Sequence, residues 1–156
     1  RAAGSLRVPG VRTALAESLD PLLGAMRQIY RERCPTIEAH TASAPAFRGE
    51  RQDLDEMLGN LLDNACKWAR GRVRVAAEPG REGVLLVHVD DDGPGLSEDQ
   101  RAAVFDRGRR LDETIAGSGL GLAIVRDLAD LHGGGVTLGE SPLGGLRVTL
   151  ELPAAG

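Results

Sequence analysis

Apolar residues along this chain recur with two periods, and the switches between them mark out the elements. Over residues 11–33 the step is three or four, through Leu15, Leu19, Leu22, Met26 and Ile29, which predicts an amphipathic helix. Asp20-Pro21 within it reads as an N-cap followed by a first helical residue, so a kink or restart is expected there. Residues 36–41 read as a strand, and 42–47 as a loop with a short edge strand. Residues 54–68, LDEMLGNLLDNACKW, form the strongest helical stretch, with Leu54, Leu58, Leu61, Leu62, Ala65 and Trp68 on one face. Strict alternation follows in Arg72-Val73-Arg74-Val75. Over residues 84–91, Leu85, Val87, Val89 and Asp91 share one face, while Leu86, His88 and Asp90 share the other. Residues 98–104 read as a short helix. Ile124, Leu128 and Leu131 mark an apolar segment ended by Gly133, before strands at 136–138 and 147–152. One-sided strands combined with amphipathic helices predict an α+β sandwich. Helices should cover one face of a mixed, mostly antiparallel sheet.

Several polar residues break these patterns in ways that point to chemistry. Glu56, Asn60, Asn64 and Lys67 fall on one narrow line of the 54–68 helix, away from its apolar face. Asn is a poorer helix former than Ala, Glu or Lys. Two of them four residues apart fit either a chance solvated face or a working set, since an amide oxygen suits Mg²⁺ and a lysine suits phosphate. Asp91 closes the core face of its strand within Asp91-Asp92-Gly93-Pro94-Gly95. A carboxylate placed there needs a partner, and a purine amino group can supply one; an ordinary acidic turn explains the same residues. Gly117-Ser118-Gly119-Leu120-Gly121 enters a helical segment, where exposed backbone N–H groups can cradle phosphate. It is neither a Walker A loop nor a Rossmann fingerprint. Gly144-Gly145 before the last strand reads equally well as a hairpin turn. Residues 97–116 are mostly polar and contain Arg107, Arg109 and Arg110, as a lid beside a phosphate cradle would; a solvated loop would look alike.

Composition narrows the classes. With 156 residues and 42% hydrophobic content the chain can bury the core of one soluble domain. A net charge of −4 argues against nucleic acid as the main partner. No run of apolar residues is long enough to span a membrane, so no membrane contact is expected of this domain. Cys34 and Cys66 have no framework or metal spacing and read as reduced, cytosolic thiols. The chain opens with Arg, which reads as a piece of something longer: residues 1–10 as a linker end, 11–153 as the domain, 154–156 as a tail.

Taken in order, NLLDNACKW, DDGPG, FDRG, GSGLGL and a Gly-Gly before the terminal strand resemble the catalytic ATP-binding domain of bacterial sensor histidine kinases, with its N, F and glycine boxes. The wording is similar to that of the PhoQ type. The resemblance covers residues 11–153 and implies a Bergerat fold, an α/β sandwich with about three helices on one face and an ATP lid. It implies ATP and Mg²⁺ as cofactors. Asn64 would bind the metal with Asn60 assisting, and Lys67 would meet phosphates. Trp68, where the family commonly has Tyr, would pack beside adenine. Asp91 would accept from the adenine amino group, with Gly93 and Gly95 admitting the base. Arg107 and Arg110 would reach the γ-phosphate. Gly117, Ser118, Gly119, Leu120 and Gly121 would line the phosphates. Asn60, Asn64, Lys67 and Arg107 would be the catalytic set. The implied reaction is transfer of the γ-phosphoryl to a histidine on a separate dimerisation domain, with a response regulator acting downstream. The whole would be an inner-membrane sensor with this domain in the cytoplasm, and the fragment a monomer.

Departures from the family pattern sharpen the expectation. Gly108 stands where a second Phe is common. None of His40, His88 or His132 sits in a phosphoacceptor motif, so each is expected to be structural or solvent-facing. Gyrase-type and MutL-type ATPases carry a Glu base where this chain has Asn60, so only slow hydrolysis is expected. An anti-sigma-type serine kinase and a degenerate nucleotide-binding docking module are the alternatives.

Overall fold

The computed structural model describes residues 10–33, 35–105 and 118–155. Among these residues four helices, α1 (Leu15–Ile29), α2 (Arg51–Trp68), α3 (Glu98–Ala103) and α4 (Ser118–Leu131), accompany five strands. These are β1 (Thr36–His40), β2 (Arg72–Pro79), β3 (Val84–Asp91), β4 (Gly135–Glu140) and β5 (Leu146–Pro153), in one sheet of order β1-β2-β3-β5-β4. β1 and β2 are parallel and the other pairs antiparallel, the mixed sheet expected. Helices α1, α2 and α4 pack on one face, and α2 lies between its two neighbours.

The period-two readings hold at the level of register. Val73, Val75, Leu85, Val87, Val89, Val148, Leu150 and Leu152 face the helices and are buried. On the opposite face Arg74, Asp90 and Arg147 stand side by side. Arg147 grips Asp90 bidentately at 2.9 and 3.0 Å, and Arg74 lies 3.8 Å from it. The two arginine stems cover this carboxylate completely on what is otherwise a wet face.

One helical reading is corrected. α1 runs unbroken through Pro21, so there is no restart at Asp20-Pro21. A mid-helix proline costs about 3 kcal/mol. Leu23 and Met26, buried beyond it against α2, each return roughly 1.5–3 kcal/mol. Ile29, on the edge of that stripe in the last turn, is 62% exposed. In α4, Leu122, Ala123, Val125 and Ala129 are buried, and Leu128 packs partly buried against the same core. Ile124 and Leu131 lie on the far side, at 38% exposure each. Arg126, Asp127 and Asp130 mark its polar side.

α4 ends in a complete Schellman motif. Gly133 adopts φ 79°, its N–H donates to Asp130 O, and Gly134 N–H donates to Ala129 O. Gly134 then passes so close to β5 that a Cβ would lie 1.9 Å from Glu151 O. Gly134→Ala should therefore lower stability by about 1–3 kcal/mol or more, read by chemical denaturation. Wild-type stability in that variant would show that the α4–β4 junction can shift to admit a methyl group.

The three histidines are structural or exposed, as expected. His88 Nδ1 lies 2.9 Å from Thr149 Oγ1 on the outer sheet face, buried His132 Nε2 lies 2.8 Å from Asp53 Oδ2, and His40 is exposed. Cys66 is buried in α2, and burial pushes its thiol up to about 11, where it stays protonated and inert.

Candidate functional site

The C-terminal turns of α2, the end of β3, α3 and the first turns of α4 enclose a cavity of about 360 Å³. Its lining includes Asn64, Trp68, Asp91 and Gly95, four of the residues singled out in the sequence. Val104, Leu122 and Leu146 complete an apolar wall, with Gln100 at the rim. A largely apolar pocket holding a few fixed polar groups suits a flat heteroaromatic ligand with one or two hydrogen-bonding edges.

Asp91 is the dominant polar group, 3% exposed at the end of a buried strand face. Gly93 N–H donates to its Oδ1 at 2.9 Å and Leu146 N–H to the same oxygen at 3.2 Å. Both backbone donors fall on one oxygen, so Oδ2 keeps its accepting capacity at the cavity. Burial pushes the Asp91 carboxyl above the ordinary aspartate range, against the pull of those two N–H groups. A buried carboxylate with one committed oxygen is a matched acceptor for an amino group entering from the cavity.

Asn64 projects from α2 into the same cavity and is 8% exposed. One turn earlier, Asn60 Nδ2 donates to Glu56 O at 2.8 Å. Its Oδ1 faces the start of α4, where a Cβ on Gly121 would lie 3.3 Å from it. Ser118, Gly119 and Leu120 form the first turn of that helix, and the missing side chain at Gly121 lets α4 approach Asn60. The two asparagines thus sit between the cavity and a helix N-terminus, which attracts anions. Lys67 is half-buried on the last turn of α2 and does not line the cavity. Arg107, Arg110 and Gly117 lie outside the described residues.

Gly93 has a structural duty of its own: a Cβ there would lie 2.3 Å from Trp68 O, so the loop after Asp91 lies directly against the end of α2. Gly95, at φ 71°, lines the cavity and packs on Gly145. Sequence reasoning missed Gln100 and left Gly145, within its Gly-Gly pair, as equally well a hairpin turn. Ser97-x-x-Gln100 is a capping box, with Gln100 N–H donating to Ser97 Oγ at 3.2 Å and Ser97 N–H to Gln100 Oε1 at 2.8 Å. That signal was available in the sequence. The role of Gly145 was not, because a Gly-Gly pair before a strand is what any hairpin requires.

An α/β sandwich with a buried carboxylate and paired helix asparagines around an apolar cavity defines a nucleotide-binding domain of the Bergerat class. The chain belongs to the family of histidine kinase-, DNA gyrase B- and HSP90-like ATPases (HATPase_c), whose model matches residues 49–156. Its relatives include sensor kinases. The Pseudomonas aeruginosa sensor protein kinase CarS is 50% identical over 148 residues, 94% of this chain and 32% of that protein. The Escherichia coli sensor protein PhoQ is 38% identical over 134 residues, 86% of this chain and 27% of that one. Full-length ShkA, solved in complex with AMPPNP, superposes with a TM-score of 0.79 at 29% identity, covering 93% of this chain and 31% of that one. The chain therefore corresponds to the ATP-binding catalytic domain of sensor histidine kinases and spans about a third of the length of the curated relatives it matches.

Proposed function

We propose that this domain binds Mg-ATP in the Asp91 cavity and transfers the γ-phosphoryl group to a histidine on a separate dimerisation domain. The observation that carries the reading is Asp91 itself, buried at an apolar cavity with Oδ1 taken by two backbone N–H groups. The adenine amino group donates to Oδ2, Trp68 and Leu146 flank the ring, and the phosphates run toward Asn64, Asn60 and the start of α4. That ShkA, of the same fold, was solved in complex with AMPPNP supports an adenine nucleotide as the ligand. Asn64 and Asn60 offer neutral amide oxygens, which fit a metal that also takes phosphate and water oxygens. Bound there, Mg²⁺ supplies charge neutralisation on the phosphates.

In the transfer step the bond from the γ-phosphorus to its bridging oxygen breaks, and a phosphorus–nitrogen bond forms to neutral imidazole. ADP keeps the bonding pair and the imidazole loses its N–H proton. Neutral imidazole is already a nucleophile, so the domain needs chiefly to position ATP and offset charge. Asn60 stands where water-activating relatives carry Glu, and an amide takes no proton from water. Because ATP is an intracellular substrate, the reading places this domain on the cytoplasmic side of a membrane sensor, with a response regulator receiving the phosphoryl group afterwards.

The test mixes this chain with a separately produced phosphoacceptor domain and labelled ATP. Transfer to histidine should require Mg²⁺, and chelation should abolish it. Asn64→Ala should lower the rate at least by the ten- to hundredfold typical of disturbing a metal's surroundings. The chain alone should hydrolyse ATP slowly. Rapid magnesium-dependent hydrolysis with no transfer would place the protein among ATP-driven clamps instead.

A further inference from the structure

Helix α2 ends without a glycine cap. Ala69, its C-cap, is extended at φ −61° and ψ 143°, and satisfies Ala65 O through its own N–H. The later carbonyls need other partners, and Arg33, in the turn after α1, provides them. Its Nη1 donates to Lys67 O and its Nη2 to Ala69 O, a guanidinium fork across the negative end of the helix dipole. One turn back, Tyr30 Oη donates to Asp63 Oδ1 at 2.6 Å, and burial with the Asp63 carboxylate keeps this phenol protonated.

These braces alternate with the cavity residues. Asp63 and Lys67 are held from α1, while their chain neighbours Asn64 and Trp68 line the cavity. On the other side Asp92 Oδ1 accepts from Arg70 N–H at 2.7 Å and Gly71 N–H at 3.0 Å, and Gly93 lies against Trp68 O. The exit of α2 is thus clamped between Arg33 and the segment that carries Asp91.

We propose that Arg33 is a positioning residue for nucleotide binding, fixing the last turn of α2 so that Trp68 and Asn64 meet the ligand. This rests on the reading of the cavity as the adenine pocket. Arg33 does not line the cavity, so its effect passes through Trp68, the only tryptophan in the chain and hence a built-in reporter.

The experiment compares ATP affinity and the fluorescence anisotropy of nucleotide-free Trp68 in four variants. Arg33→Met should weaken ATP by roughly two- to thirtyfold, the range of a mutation acting through a coupled contact, and lower the anisotropy. Arg33→Lys, which keeps the charge but cannot fork, should recover part of both. Arg27→Met, which removes an arginine bond from α1 to Ile37 O on β1, should leave both at wild-type values. Wild-type affinity in Arg33→Met, with or without a change in anisotropy, overturns the proposal. Should Arg33→Met not fold, unchanged affinity and anisotropy in Arg33→Lys overturns it equally. Asp91→Asn separates the two claims: if it weakens ATP while Arg33 variants do not, only the positioning role fails. If Asp91→Asn binds ATP like wild type, the adenine reading fails.

Discussion

Replacing Asp91 by asparagine should weaken ATP binding about ten- to hundredfold, the worth of one hydrogen bond to a charged group, roughly 1.5–3 kcal/mol. The geometry makes the loss specific. Gly93 and Leu146 direct two N–H groups at the Oδ1 position, so the amide of the variant must place its oxygen there. Its NH₂ then occupies the Oδ2 position and meets the adenine amino group donor to donor. Guanine carries an acceptor at that edge, so the preference for ATP over GTP should collapse as well. Competition titrations with both nucleotides against a fluorescent ATP analogue check this, and unchanged ATP affinity would reduce Asp91 to a turn residue.

The same carboxylate sets a pH dependence whose sign is fixed. Burial, the largest influence, raises the Asp91 pKa in the folded protein. Accepting from adenine requires the ionised form, so wild-type affinity should fall on acidification at a pH less acid than an ordinary aspartate titrates. The asparagine variant should show only the ligand's own titration, and the difference between the curves isolates Asp91. For the nucleotide-free fold the sign reverses. A raised folded pKa means the folded state binds this proton more readily than the unfolded chain. The contribution of Asp91 to stability is therefore unfavourable above the folded pKa and vanishes below the unfolded one. Asp91→Asn should weaken ATP without lowering the melting temperature at neutral pH, which separates a lost contact from a damaged fold.

What the sequence disclosed and what it withheld follow from how local each determinant is. The faces of β3 and β5 and the line of Asn60 and Asn64 on α2 are set by periodicity within one element, and each stands where the pattern puts it. Asp91 was legible because a charge on a core face is a local contradiction. The unbroken α1 was not, because whether a helix survives Pro21 depends on burial of Leu23 and Met26 against a helix some thirty residues away in sequence. Arg33 looked like any basic residue at a helix end; only the packing of α1 on α2 carries its guanidinium to the carbonyls of Lys67 and Ala69.

Gly145 is where the site's dependence on distant chain is most exposed to test. As a hairpin turn, Gly144 and Gly145 would be equivalent, but their surroundings differ. Gly144 adopts φ 107° with open space where a Cβ would stand. At Gly145 a Cβ would lie 2.2 Å from Asp91 Oδ1, 2.6 Å from Asp91 O and 2.6 Å from Gly93 N. Its own N–H donates to Asp91 O at 3.1 Å, so the turn before β5 lies flat on the end of β3. Gly144→Ala should cost about 1–3 kcal/mol through backbone strain and leave ATP affinity intact. Gly145→Ala should cost a similar amount by overpacking, roughly 1–3 kcal/mol. It should also push Leu146 N–H away from Asp91 Oδ1, freeing the carboxylate to rotate, and so weaken ATP about tenfold or more. Thermal unfolding and nucleotide titration on the pair decide it: equal stability losses with unequal affinities identify Gly145 as the support of Asp91, whereas wild-type affinity in both leaves the pair a turn.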